Sequence, residues 1–403
     1  MRGGRRPPLR VVMVSPMMPH PCGIALFARD MAVALASVPA RQVELSWVGV
    51  AAGHDSPMPD AGRVLAVLPG LEDRSMAGER AAAAINRARP DVVWLQHTFG
   101  LFGRWEAPYT DSLGPFLAAL EPPLVTTLHT VPFDPPHGVP AALRRICDAS
   151  ERLIVMSSPA LRHLSELYDV SVAKGVLIPH AVHRSRRPDA AIPVDAGLGD
   201  PLILSFGLIR PGKGLVNAVA AMPRLLASWP FARYVIAGQD HPATAFRRDY
   251  AGYRAQLSQA VREAGVEEAV TFVDRFLSEG ELDGLLSRAA IVLTPYLHPD
   301  QASSGTLARA LGAGRVVVSS LNGHSFDAAE HGAVELLPGT TPREIADTVH
   351  RVLAHPARRR GLERRARAYS RTRPWSTIAE RSIAVLLAAA RTGQPEADSC
   401  QAG

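Results

Sequence analysis

Pro295-Tyr296-Leu297-His298-Pro299-Asp300-Gln301-Ala302-Ser303-Ser304-Gly305-Thr306-Leu307-Ala308-Arg309-Ala310-Leu311-Gly312-Ala313-Gly314 is the stretch on which the fold turns. The apolar run Ala290-Ile291-Val292-Leu293 before it reads as a buried strand, and Leu307, Ala308 and Leu311 recur at helical spacing within it. A polar turn therefore lies between the carboxyl end of a strand and the amino end of a helix. The first N–H groups of such a helix have no internal partner, and its dipole makes that end positive. Ser303, Ser304, Gly305 and Thr306 add hydroxyls and close backbone access. A phosphate or diphosphate suits that place. On spacing alone the plainer reading, a serine that only caps the helix, is preferred.

Strand and helix patterns alternate on both sides of this turn. Apolar runs predict strands at 9–16, 43–50, 63–68, 92–96, 124–128, 153–156 and 176–178, then at 202–206, 234–237, 269–273, 291–294, 316–319 and 334–337, with helical periods between most of them. Near-continuous apolar strands alternating with helices predict an α/β protein of two doubly wound parallel sheets. Residues 1–8 read as a disordered start, 9–182 as one Rossmann-like domain, the irregular 183–200 as a linker, and 201–373 as a second Rossmann-like domain. A last helix at 374–390, which could cross back to the first domain, precedes a disordered polar tail at 391–403.

A chain of 403 residues fits two ordinary cores, and 47% hydrophobic with 20% charged residues describes a globular protein. Of 44 basic residues only Lys174 and Lys213 are lysines, which leaves 42 arginines. With so much Ala and Pro beside them, this is the composition of a GC-rich genome, and the net charge of +6 does not call for a nucleic-acid partner. The basic run 358–373 could meet acidic lipid as a helical face, although plain solvation is the simpler reading. Three cysteines without ligand spacing argue against a disulfide scaffold or zinc site and fit a reducing cytoplasm. No apolar run is long enough to span a bilayer.

In open parallel sheets, ligands sit at the carboxyl ends of the strands. The polar turns expected there in the first domain are Gly23-Ile24, His97, His129, Ser157-Ser158 and His180. In the second they are Arg210 with Lys213, Gly238, the Arg275-Phe276 turn, and Gln301 to Thr306. The turn Gly207-Leu208-Ile209-Arg210-Pro211-Gly212-Lys213-Gly214 carries two cations. Arg can grip a phosphate with paired hydrogen bonds and Lys supplies a mobile point charge. The chain has no Gly-x-Gly-x-x-Gly after its first strand, no phosphate loop, no Gly-x-Ser-x-Gly elbow and no Asp-x-Asp metal pair, so the common dehydrogenase, NTPase and hydrolase signatures are missing.

Taken in order, the Gly23 turn, Thr127-Leu128-His129, Ile178-Pro179-His180, the Gly207 turn and the stretch from Gln301 resemble the family-4 retaining glycosyltransferases of the GT-B fold, over about residues 9–390. The resemblance implies two Rossmann-like domains facing a central cleft, an acceptor domain first and a donor domain second. It implies transfer of a hexose from a nucleotide-diphosphate sugar to a glycan, lipid or small-molecule acceptor, with retention and without a metal or other cofactor. On that reading His129, Lys213 and Gln301 are catalytic. Gly23, Ile24, Arg210, Lys213, Gly238, Phe276, Ser303, Ser304, Gly305, Thr306 and Leu307 hold the donor, and His97 and His180 the acceptor. The setting it implies is cytoplasmic, with a peripheral contact to the inner face of the membrane left open.

Four positions depart from the family pattern, one of them Ala181, which replaces the glycine often found after Pro-His. Gln301 and Arg309 stand where many members carry two glutamates, and Leu208 where an arginine is usual. Arg309 has only donors and cannot replace a carboxylate as acceptor. The arrangement Gln-x-Ser-Ser-Gly-Thr-Leu resembles a divergent mannosyltransferase-like subgroup. Two rival readings stay open at this point: a catalytically silent glycosyltransferase-like subunit, and a nucleotide-sugar epimerase with His129, His180 and Asp240 as its acid and base candidates.

Overall fold

In a computed structural model, residues 7–18, 22–39, 42–50, 63–68, 76–104, 108–183, 199–241, 250–300 and 304–392 are described. The chain divides into two compact units. The first comprises Met1–Pro179 together with Trp375–Gly403, and the second His180–Pro374.

The first unit runs β1 (Leu9–Ser15), α1 (Gly23–Ala36), β2 (Val43–Val50), β3 (Arg63–Leu68), α2 (Ala77–Ala88), β4 (Val92–His97), α3 (Phe99–Phe102), β5 (Gly103–Arg104), β6 (Thr110–Asp111), α4 (Leu113–Ala119), β7 (Leu124–Leu128), α5 (Val139–Ala149), β8 (Arg152–Val155), α6 (Ser158–Glu166) and β9 (Gly175–Leu177). The second continues with β10 (Leu202–Phe206), α7 (Leu215–Leu226), β11 (Arg233–Ala237), α8 (Tyr253–Ala264), β12 (Val270–Val273), α9 (Glu279–Arg288), β13 (Ile291–Thr294), α10 (Gly305–Gly312), β14 (Val317–Ser319), α11 (Gly323–Glu330), β15 (Val334–Leu336), α12 (Pro342–Ala354) and α13 (Pro356–Arg371). The chain then returns to the first unit as α14 (Trp375–Thr392).

The first sheet has seven parallel strands in the order β3-β2-β1-β4-β7-β8-β9, and the second has six in the order β12-β11-β10-β13-β14-β15. These are the thirteen strands expected from the apolar runs. The short antiparallel pair β5 and β6 is additional, because two-residue strands carry no period to read. Helices cover both faces, which is why the central strands β4 and β7 are buried at every position. In the second unit, one layer of core lies between the sheet and α7, α8 and α12, with Met222, Leu257 and Val349 at its heart. The other holds Leu285, Leu307, Leu311 and Tyr369.

α14 packs on α1, β4 and β7. Its first residue, Trp375, lies 5.5 Å from the ring of Phe27, and Arg381 donates to the Leu177 carbonyl at 2.7 Å. The second lysine of the chain has a structural post: Lys174 Nζ donates to the carbonyls of Cys147 and Asp148 at the end of α5, at 3.0 and 3.3 Å. The start at 1–6, most of the expected linker (184–198) and the tail from 393 lie outside the described residues.

Candidate functional site

Where the winding of a parallel sheet reverses, the loops on either side diverge and leave room at the strand ends. In the second unit the reversal falls between β10 and β13, so the Gly207 turn and the Pro295 stretch flank one opening. The two are stitched together: the Leu297 N–H donates to the Gly212 carbonyl at 3.0 Å, and the left-handed Gly214 backs onto the Pro295 carbonyl so closely that a side chain would collide with it. Gly238, at φ +146°, meets the Gly207 carbonyl in the same way. Its glycine is therefore required by backbone packing, whatever it contributes to a ligand.

A chain of hydrogen bonds crosses this opening. Lys213 Nζ donates to the Tyr296 hydroxyl at 3.1 Å and stands 4.4 Å from the ring centroid. The same hydroxyl is hydrogen-bonded to Ser304 Oγ at 3.2 Å. Ser304 caps α10, its Oγ accepting the Leu307 N–H at 3.2 Å, while its own backbone N–H donates to Nδ1 of His324 on α11 at 3.1 Å. The N–H groups of Gly305 and Thr306 have no partner among the described residues, and Gly305 faces open space. A side chain at Gly207 would stand 3.1 Å from Thr306 Oγ1 and 3.7 Å from Lys213 Nζ. A cation, two helix-start N–H groups and a hydroxyl thus converge on a small region whose sign is positive.

The pKa shifts follow from this arrangement. Burial acts to raise the Tyr296 phenol, but the Lys213 ammonium and the hydrogen bonds around it outweigh that and leave the phenol below its ordinary value. His324 is fully buried, which pushes it down to about 3, with His180 and Arg373 adding to the shift. It is therefore neutral at ordinary pH, as an acceptor for the Ser304 N–H must be.

The other donor-side residues have varied settings. The Arg210 guanidinium lies over Gly212, 3.5 Å from the Tyr250 hydroxyl. Phe276 is exposed beside the Arg275–Glu281 ion pair. Leu307 is a core residue whose N–H is used in the cap, so it offers a ligand nothing. Arg309 points to α9, 3.4 Å from Asp283 and 3.7 Å from Glu279. Gln301 and Ser303 lie outside the described residues.

In the first unit the reversal falls between β1 and β4, beside which β7 ends. Gly23 and Ile24 open α1, with nothing within 4 Å of a side chain built at Gly23. His129 Nε2 lies 3.0 Å from Gln96 Oε1, and its ring meets the Phe27 edge at 5.1 Å. Because a Gln Oε1 only accepts, Nε2 carries the proton. His97, expected to meet the acceptor, is completely buried, stacked on Phe102 and edge-on to Phe99, and burial holds it neutral with a pKa of about 3. His180 corrects the expected domain boundary. It belongs to the second unit, donates from Nδ1 to the Ala181 carbonyl at 2.6 Å, and stacks 6.0 Å from His324.

Sequence reasoning missed Tyr296, His324 and Gln96. His324 was reachable, since Asn322-Gly323-His324 is another polar turn between a strand and a helix. A tyrosine directly after a strand carries no such signal, and Gln96 was hidden inside one.

Residues 200–355 match the family model described as "Glycosyl transferases group 1". A glycogen synthase of Mycobacterium tuberculosis is 31% identical over 288 residues, which is 67% of this chain and 64% of that protein. The chain thus spans somewhat under two thirds of the length of that relative. A D-inositol 3-phosphate glycosyltransferase of Kineococcus radiotolerans is 25% identical over 84% of this chain and 80% of its own. Among solved structures, a glycosyltransferase from Rickettsia africae superposes with a TM-score of 0.72 at 12% identity, covering 95% of this chain and 99% of its own. Anabaena HepE in complex with UDP and glucose gives 0.70 at 15%, covering 94% and 100%. Residues 200–355 thus match the glycosyl transferases group 1 family model, within a chain of GT-B fold.

Proposed function

We propose that this protein transfers a hexose from a nucleotide-diphosphate sugar to an acceptor hydroxyl, with retention and without a metal ion. The observation that carries the proposal is the Lys213–Tyr296–Ser304 chain, which aims an ammonium at the open start of α10 in the region matched by the group 1 family model. As the bond between the anomeric carbon and the diphosphate breaks, negative charge develops on the leaving oxygen. Lys213, Arg210 and the Gly305 and Thr306 N–H groups would receive it, a task that a divalent ion performs elsewhere. The acceptor hydroxyl attacks on the face the diphosphate leaves and gives its proton to the departing phosphate oxygen, so no protein nucleophile is needed. His129, its ring fixed by Gln96 and Phe27, contacts the sugar, as does Gln301.

A second reading, a silent binding subunit, draws on Arg309, which turns toward acidic partners in place of a ribose-binding carboxylate. Thermal shift against UDP, GDP, ADP and their sugars, first without metal and then with magnesium, tests the site. Release of free nucleoside diphosphate in the presence of acceptors tests turnover. Stabilisation by one diphosphate without metal, followed by turnover, supports the transferase. Stabilisation with no turnover on any acceptor favours the silent subunit, and no stabilisation by any of them rejects the donor site.

A further inference from the structure

We propose that the outer face of α13 docks this protein on an anionic lipid surface. Six of the seven arginines of α13 fall into two sets, with Arg359 half-buried between them. Arg358 grips the Glu335 carboxylate with bonds of 2.7 to 3.0 Å, and Arg365 donates to the Gly332 carbonyl at 2.8 Å, so both hold the helix to its own unit. On that inner side Leu362, Ala366, Tyr369 and Ser370 are buried.

Arg360, Arg364, Arg367 and Arg371 are different. Their spacing of i, i+4, i+7 and i+11 puts them in one narrow row about 16 Å long, opposite the buried side, with the stem of Arg367 resting on Gly314 at its edge. All four are exposed, and none has a hydrogen bond or ion pair among the described residues. The sole acid of the helix, Glu363, acts on Arg315.

Like charges three and four residues apart destabilise a helix. This row contains three such neighbouring pairs against a single acid, Glu363, which stands three residues from Arg360 and four from Arg367, so repulsion outweighs compensation in the folded state. A bound partner of opposite charge offsets that repulsion. A single phosphate would call for a concave site, and this row stands on a convex helix. Single-stranded nucleic acid would call for exposed aromatic rings to stack on, whereas Tyr369, the only aromatic residue of α13, is buried. A layer of anionic headgroups needs only a straight line of cations, with no groove and no apolar insertion.

The test is flotation of the full chain with phosphatidylcholine vesicles and with vesicles that also contain phosphatidylglycerol, over a range of salt. Binding is expected only to the anionic vesicles, weakening as salt rises. Each arginine in the row is worth about fivefold in partition, which is about 1 kcal/mol. R364Q/R367Q should therefore cost roughly 25-fold and the fourfold variant R360Q/R364Q/R367Q/R371Q several hundredfold, with melting temperature unchanged or raised. R358Q should lower the melting temperature and leave vesicle binding intact. The proposal is overturned if wild type ignores anionic vesicles, if the fourfold variant binds them as well as wild type, or if R358Q loses as much as R364Q/R367Q. Tighter binding to an oligonucleotide than to vesicles at equal salt also overturns it. None of these outcomes depends on sugar transfer.

Discussion

Replacing Lys213 by methionine keeps the apolar stem and removes the charge, so it isolates what the ammonium does. A diphosphate oxygen seated at the start of α10 lies within about 4 Å of an ammonium tethered there. At an effective dielectric constant near 20, two unit charges at that separation attract by about 4 kcal/mol. Both groups surrender hydration, and the part that survives is that of a hydrogen bond between charged partners, roughly 2–3 kcal/mol. Nucleoside diphosphate affinity should fall roughly 30- to 150-fold. Stability should change much less. Tyr296 loses its 3.1 Å bond from Lys213 but keeps the 3.2 Å bond to Ser304, so the cost is about 1 kcal/mol, or a few degrees for a unit of this size. Isothermal titration of both proteins, with the diphosphate that most stabilises wild type, reads the first quantity and calorimetry the second. The Tyr296 phenol should also titrate at higher pH once the ammonium is gone, visible as a shift in the tyrosinate absorbance. A folded variant that binds the diphosphate within threefold of wild type would show that Lys213 serves only to hold Tyr296.

Two further outcomes are expected. Gly238→Ala forces a side chain into the Gly207 carbonyl from a backbone at φ +146°, and should lower the melting temperature of the second unit and weaken diphosphate binding together. Titration calorimetry would show the two losses as separable if the turn has no part in the site. Acid should destabilise both units. His97 in the first unit and His324 in the second have folded pKa values of about 3 against an ordinary value of 6.5. Their contribution is therefore complete above pH 6.5 and is lost as pH falls toward 3, at up to about 1.4 kcal/mol per pH unit for each. Denaturant midpoints measured across that range should fall, and His324→Gln should flatten the slope for the second unit alone.

The strands were legible because the central ones are buried on both faces and so read as largely apolar runs; β2, β3, β7, β10 and β13 begin and end where the sequence places them. The site was less legible for a geometric reason. His97 and His129 both follow apolar strands, yet one enters the core and the other reaches the strand end beside Gln96 and Phe27. Which face a terminal residue takes depends on where the strand stops pairing, and a polar residue at the end of an apolar run does not record that. His180 shows a related limit: the strand before it belongs to the first sheet, but three residues after that strand ends the chain has left the first unit and His180 stacks on His324. Gly238 was correctly singled out as a strand-end glycine. The reason for it, contact with Gly207, depends on two turns that are far apart in sequence.

The return of α14 to the first unit has a consequence for synthesis. The second unit is one continuous segment, His180–Pro374, whose sheet, helices and both core layers have all left the ribosome before Trp375 does. The first unit begins earlier and is completed later, because the helix that packs on α1, β4 and β7 is made after the whole of the second unit. The nascent chain thus carries a first sheet with one face uncovered, Phe27 included, throughout the translation of the second. The half that starts first depends on the half that follows, and a ribosome that stalls before Trp375 leaves an apolar surface for chaperones or proteases to find.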